Sequence, residues 1–382
     1  LGDVYKRQNQ VRAFVLRSQH AHADILSIDT TAALAAPGVV TILTGKELKN
    51  RALGTLRPAM AGKRSDGTPG FVCTQSLLAL DRVRYVGEAV AFVVAETATE
   101  AKDAAEMILV DYAPLPSVIS VDDALAPSTM AIWEENPGNE AFTHEIGDAA
   151  AVEAAFASAA HIVRHRVCVN RVTGNPLENR GCIAEYDAFE DRYTIRATIQ
   201  SAHGIRAILA GQIFNQPQSK FRVICDNMGG GFGMKNFPYP EYGLVLWAAR
   251  RLGRPVKWTS ERTETMLTDC QARDLVVKAS LAVSTDGRIQ ALETSNLSNL
   301  GAYPFSFIPL IKGVEIMPVT YALPVAAARA RAVMSNTPAT YPYRSAGRPE
   351  VVYAMERMID ICLLYTSDAA DDTPCVDLGG RR

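Results

Sequence analysis

The chain has 382 residues, of which 48% are hydrophobic and 21% charged, and its 39 basic side chains nearly balance 41 acidic ones for a formal charge of −2. Such a composition supplies ample core-forming residues and no basic field to hold a nucleic acid, and no stretch reaches the roughly 18 apolar residues of a membrane span. The length suits two domains or more, at about 150 residues each.

Taken in chain order, residues 11–16 and 39–43 read as strands, and residues 90–95 form a nearly unbroken apolar run of buried-strand length. Thr97-Ala98-Thr99-Glu100 is a capping box, in which the threonine hydroxyl takes the N–H three residues on and the glutamate reaches back. The alanine-rich helix it opens is expected to end near Leu109. Pro114 and Pro116 lack the N–H groups that regular strand pairing needs. Pro127 and Pro137, set among mixed polar residues, place a domain boundary at 127–138. Asp148 is then a candidate N-cap for a helix to Ala159. Strands are expected at 161–169 and at 193–199, the second delivering Gln200 at its end. An amphipathic helix follows at 205–214, and a short apolar run at 221–225. Pro238 and Pro240 delay the next helix to about Glu241, and it closes at Gly253.

Between the apolar run and that helix stands Met228-Gly229-Gly230-Gly231-Phe232-Gly233-Met234-Lys235. A Rossmann G-x-G-x-x-G starting at Gly229 would need glycine where Met234 stands, and a P-loop fails at both Met234 and Asn236. Successive glycines still let a backbone approach a ligand closely and turn several N–H groups toward an anion. A flat or anionic cofactor pressed on this loop is therefore expected, and a tight strand-to-helix turn is the plain alternative. The cysteines Cys73, Cys168, Cys182, Cys225 and Cys270 form no C-x-x-C pair. That argues against a zinc ribbon or an iron–sulfur cluster on this chain and for scattered free thiols in a reducing compartment. His161 and His165 share a strand face about 13 Å apart, too far to chelate one ion, and His20 and His22 have no third ligand nearby.

Four segments together carry a family resemblance. Residues 170–181 (NRVTGNPLENRG), 198–206 (TIQSAHGIR), the glycine loop and 336–350 (NTPATYPYRSAGRPE) resemble, in that order, the molybdenum-cofactor-binding large subunit of the xanthine dehydrogenase and aldehyde oxidase family, including its carbon-monoxide-dehydrogenase-like branch. Residues 11–29, 37–45 and 83–97 resemble that family's α/β hammerhead domain. The resemblance implies an α+β chain, with a hammerhead domain at 9–126, a linker at 127–138 and the opening portion of the molybdopterin-binding domain at 139–361. Residues 1–8 (LGDVYKRQ) and 362–382 resemble in-frame translations of sequencing-library adapter DNA, and we set them apart from fold reasoning together with Cys362 and Cys375.

By the same resemblance, Gln200 hydrogen-bonds an oxygen of the molybdenum group, a task suited to an amide that both donates and accepts. Gly230, Gly231, Phe232 and Gly233 lie along the pterin and the metal oxygens, with Phe232 walling the substrate pocket. Arg344 faces the cofactor with a fork of donors for pterin or phosphate oxygens. Ser345 lines the substrate side, where carbon-monoxide-oxidising members hold copper on a cysteine. Asn236 stands where purine-oxidising members carry a glutamate. An aldehyde or N-heteroaromatic substrate is thus expected, hydroxylated with water-derived oxygen. The family's glutamate base lies far toward the C-terminus of the full subunit, so no catalytic residue and no direct metal ligand are expected within this chain, and the fragment alone is expected to be inactive. The implied cofactor is molybdenum-molybdopterin in its cytosine dinucleotide form. Electrons would leave to an iron–sulfur small subunit and an FAD-binding medium subunit, in a cytoplasmic dimer of heterotrimers. From another class, a non-catalytic phosphate- or nucleotide-binding module fits the same glycine loop.

Overall fold

Fifteen strands carry the computed structural model, which describes residues 6–50, 53–58 and 62–366, the last four as backbone alone. In chain order they are β1 (Val11–Arg17), β2 (Ala23–Asp29), β3 (Val39–Thr44), β4 (Arg82–Val83), β5 (Ala89–Ala95), β6 (Leu109–Pro114), β7 (Glu140–Gly147), β8 (His161–Val172), β9 (Gly181–Asp187), β10 (Arg192–Ala197), β11 (Phe221–Ile224), β12 (Val256–Thr259), β13 (Ala272–Val283), β14 (Ile289–Gly301) and β15 (Val325–Met334). They form a seven-stranded sheet in the order β11-β10-β9-β12-β1-β5-β3, a five-stranded sheet β7-β15-β14-β13-β8 and a three-stranded sheet β4-β2-β6. With helices packed on these mixed sheets, the fold is α+β, as expected.

The apolar run of β5 is explained by cover on both faces. Ala91, Val93 and Ala95 pack on Ala101, Ala104 and Ala105 of the helix Ala98–Glu106, and Phe92 and Val94 enter the main core. That helix starts as its capping box dictates: the Thr97 hydroxyl accepts from Glu100 N, and Glu100 Oε2 accepts from Thr97 N at 2.9 Å. It stops short of the expected 109 because Leu109 pairs with Asp29 to open β6. Other boundaries also differ, and the strand expected at 193–199 ends at Ala197. The strand beginning at His161 continues to Val172, held along its length by β13. The helix expected at 205–214 begins at Ala202 under a Ser201 cap and widens into a π-turn at Leu209–Ile213. The helix expected from Glu241 begins with Pro240 in its first turn, where a missing N–H costs nothing, and closes at Gly253 with φ +61°.

The stretch at 127–138 does not divide the chain into independent sheets. β12, from the second half of the chain, inserts between β9 and β1, pairing Val11 with Val256 in parallel. Side chains stitch the same seam. Tyr303 donates to the buried Glu88 at 2.5 Å, and Asn336 bonds both Val118 N and the Arg84 carbonyl at 3.0 Å. Burial pushes the Glu88 carboxyl up, with Tyr303 and the Arg84 N–H pulling it back. Just past the stretch, buried Asn139 bonds Ile132 N and the Met130 carbonyl within it and the Ala124 carbonyl before it, so the stretch is built in rather than a free tether. Of the end segments, residues 1–5 and 367–382 lie outside the described residues. Arg7 pairs with Glu185, and Cys362 is buried in the helix Arg348–Thr366.

At the centre, Arg180 is fully buried. Its guanidinium reaches Asp269 at 2.5 Å, Glu241 at 3.1 Å and the Thr268 hydroxyl at 3.0 Å, and lies 3.6 Å over the Tyr239 ring. The second Glu241 oxygen accepts from Arg17 at 2.5 Å, which also bonds Glu264. Burial opposes a charge on Glu241, yet Arg180 and Arg17 overrule it and hold its carboxyl at about 2.

Breaking a buried, hydrogen-bonded pair leaves its partner's charge uncompensated, so Arg180→Met is expected to cost about 3–5 kcal/mol in urea unfolding at neutral pH. A carboxyl held down stabilises fully above its ordinary value of 4.5, and that share is lost as pH falls toward 2. Glu241→Gln is therefore expected to flatten the stability–pH curve across this acid window, read by urea unfolding at stepped pH.

Candidate functional site

The glycine loop leaves β11 and is gripped by three other segments before it enters the turn Met234–Asn236. Gly229 N donates to Glu178 Oε2 at 2.7 Å, and Lys235 Nζ donates to the same oxygen at 3.0 Å. Gly233 N donates to Gln200 Oε1 at 2.7 Å, while Gln200 N donates back to the Lys235 carbonyl at 3.0 Å. Arg344 N donates to the Phe232 carbonyl at 2.9 Å. Residues 178, 200, 229–235 and 344 are thus one assembly, although the chain scatters them over more than 160 positions.

Glycine is required where the grip is tightest. A Cβ on Gly231 would sit 2.7 Å from Gln200 Cδ, and one on Gly233, at φ +99°, would sit 2.1 Å from the Pro342 carbonyl oxygen. Between those contacts, the N–H groups of Gly230, Gly231 and Phe232 make no hydrogen bond among the described residues. Three successive free donors form the kind of concavity that takes an anion or a ring of oxygens.

The exposed groups around the loop add to it. Gln200 lies three residues past the end of β10 rather than on the strand, so its side chain is exposed, with Oε1 fixed by Gly233. Phe232 is 42% exposed at φ +53°, and its ring edge lies beside the position of a Cβ on Gly230. Ser345 is exposed at φ +70°. Two non-glycine residues in the left-handed region, one on each side of the 232–344 bond, are conformations the surrounding structure must enforce. The Arg344 guanidinium is exposed and unpaired among the described residues, and its carbonyl accepts from Arg273 at 3.0 Å. Arg273 is itself anchored on buried Glu350 at 2.8 Å. Gln200, Gly230, Gly231, Phe232, Gly233, Arg344 and Ser345 therefore share one lip, and that lip is rich in donors. An oxygen-rich anionic group fits such a donor set.

Sequence reasoning misses the supports beneath it. Lys235 is fully buried, and burial draws its ammonium below the ordinary value while Glu178 pulls the other way. Arg262 binds the Asn175 side chain at 2.6 Å and the carbonyls of Pro176 and Leu177 at 2.8 and 2.6 Å, fixing the approach to Glu178. The one available signal is Glu178 inside the 170–181 segment. Nothing in the sequence ties it to a lysine so far along the chain.

Known proteins share this architecture. Residues 132–363 match the molybdopterin cofactor-binding domain, and residues 2–116 match the aldehyde oxidase and xanthine dehydrogenase a/b hammerhead domain. The chain belongs to the xanthine dehydrogenase and aldehyde oxidase family, as a stretch of its molybdopterin-binding large subunit. It is 33% identical over 354 residues to subunit gamma of the 6-hydroxypseudooxynicotine dehydrogenase complex of Paenarthrobacter nicotinovorans, covering 92% of this chain and 44% of that protein. It is 34% identical over 380 residues to the carbon monoxide dehydrogenase large chain of Afipia carboxidovorans, covering 93% and 45%. The crystal structure of quinoline 2-oxidoreductase from Pseudomonas putida 86 is similar with a TM-score of 0.86 at 30% identity, over 95% of this chain and 45% of that one. The chain spans a little under half the length of each of these two curated relatives.

Two glycines with positive φ separate backbone strain from close contact. Gly253→Ala meets nothing within 4 Å and is expected to cost about 1–2 kcal/mol from the left-handed backbone alone. Gly233→Ala adds a collision with backbone and is expected to cost clearly more, with both values read from urea unfolding.

Proposed function

We propose that this chain forms the cofactor-holding portion of a molybdenum hydroxylase large subunit, which oxidises an N-heteroaromatic ring or an aldehyde with oxygen taken from water. The observation that carries the reading is the run of Gly230, Gly231 and Phe232 amides that make no hydrogen bond among the described residues, with Gln200 and Arg344 tied to the same loop through Gly233 and Phe232. When bound, a molybdopterin supplies two-electron oxidation and the activation of water. The chain's own residues supply position. The three amides hold oxygen atoms, Gln200 offers an Nε2 donor that makes no hydrogen bond among the described residues while Gly233 fixes its Oε1, and Arg344 forks onto pterin or phosphate oxygens. Phe232 offers a flat apolar wall and Ser345 a small polar one to the substrate.

A ring substrate is supported by the similarity to quinoline 2-oxidoreductase, named for an N-heteroaromatic compound. Carbon monoxide is disfavoured despite a relative of that name, since the Ser345 hydroxyl is a poor ligand for soft copper. Asn236 in place of a carboxylate disfavours a purine. No base is assigned here, because Glu178 is committed to Gly229 and Lys235; in this reading the base comes from a further segment of the subunit, and the chain alone does not turn over. The cofactor is read as the cytosine dinucleotide form. Iron–sulfur and FAD subunits receive the electrons, in a dimer of heterotrimers. No helix among the described residues is long and apolar enough to cross a membrane, and the assembly is read as cytoplasmic.

The test is the complete subunit, co-produced with its partners and assayed on quinoline in 18O-labelled water. We expect labelled product, and a kcat lowered about 10²–10³-fold by Gln200→Ala with molybdenum content kept, the loss typical of one oriented donor. The same three amides and Arg344 would also serve a non-catalytic phosphate- or nucleotide-binding module. Stoichiometric nucleotide binding without molybdenum would favour that reading.

A further inference from the structure

We propose that Glu178 is a positioning residue for the glycine loop, tying both of its ends to one carboxylate oxygen so that the three central amides are held free for a ligand. The geometry is specific. Oε2 alone receives Gly229 N at the start of the loop and Lys235 Nζ just past its end, and Glu178 N reaches back to the Gly229 carbonyl at 3.4 Å. Lys235 is fully buried and Glu178 is 7% exposed, so the two charges depend on each other rather than on water. The clamp is rigid on its own side, because Arg262 grips three consecutive residues, Asn175, Pro176 and Leu177, immediately before it. It is also indirect. Glu178 makes no hydrogen bond to Gly233 or Met234, whose N–H groups are held by Gln200 and by the Gly231 carbonyl. A clamp that sets the loop must therefore change those two amides when it is removed, whereas an ordinary structural pair would not.

The test uses the full chain in a Lys235→Met background, where no buried ammonium is left without its partner. Glu178→Gln keeps an oxygen able to accept from Gly229 N, and Glu178→Ala does not. Residue-resolved amide exchange is read at Gly233 and Met234, with β5 as the internal reference. In the alanine variant we expect exchange at both amides at least tenfold faster than in the glutamine variant, with β5 unchanged. Equal rates in the two variants, or acceleration that extends to β5, would overturn the positioning role. A second arm rests on the functional reading above. Each variant is produced in a host that makes molybdopterin, and retained pterin is measured by fluorescence after extraction. We expect the alanine variant to retain less than a tenth of the pterin that the glutamine variant retains; equal retention would overturn the claim that the clamp serves a ligand. If the unmodified chain retains no pterin, the cofactor reading fails while the exchange arm still decides the role of Glu178.

Discussion

Arg180 is the side chain on which the rest of this structure depends. It precedes β9, and its guanidinium reaches the first turn of the helix Pro240–Leu252 through Glu241 and the end of the helix Arg262–Thr268 through Thr268 and Asp269. Glu241 carries the connection on to Arg17 at the end of β1. Two cations and three carboxylates largely buried together would ordinarily be a poor use of core volume, since desolvation can exceed the Coulombic gain. Here the arrangement fixes direction as well as energy. Planar guanidinium forks admit few orientations, and each one sets where a helix begins relative to a strand. Glu178 lies two residues before Arg180, so the loop's clamp takes its position from this centre.

The lip around the glycine loop is built in the opposite style. Its side chains at 200, 232, 344 and 345 are exposed, Phe232 and Ser345 are held at positive φ, and the amides of residues 230–232 lack partners among the described residues. Such a surface holds its shape only because what lies beneath it is overdetermined: a buried lysine–glutamate pair, an arginine gripping three residues in a row, and a second arginine bridging a carbonyl to a buried carboxylate. Preorganisation of this kind places donors before a ligand arrives, so the ligand need not order them.

Much of this is legible in the sequence, and the legible share is local. The Thr97 capping box, the Asp148 cap and the Gly253 stop are decided by neighbouring residues, and they stand where the sequence puts them. Boundaries set by distant partners are harder: β8 runs on to Val172 because β13 is there to pair with it. The seam between the two halves reads as a boundary because prolines mark it, whereas strand insertion from residues 256–259 leaves no mark in composition. At the site, the residues gathered around the glycine loop by hydrogen bonds all sit inside the four ordered motifs. The Glu178–Lys235 pair stays hidden, because a contact across 57 positions has no local signature.

The insertion of β12 between β9 and β1 also bears on how the chain becomes a fold. β1 is made well before β12, so one of its two neighbours is not available until residue 259 has been synthesised. Closing so long a loop is slow, and an exposed strand edge in the meantime is open to wrong partners. The seven-stranded sheet therefore cannot be completed one half at a time. Until β12 is made, the β1-β5-β3 unit can pair on only one side of β1, and the other edge of that strand is left open.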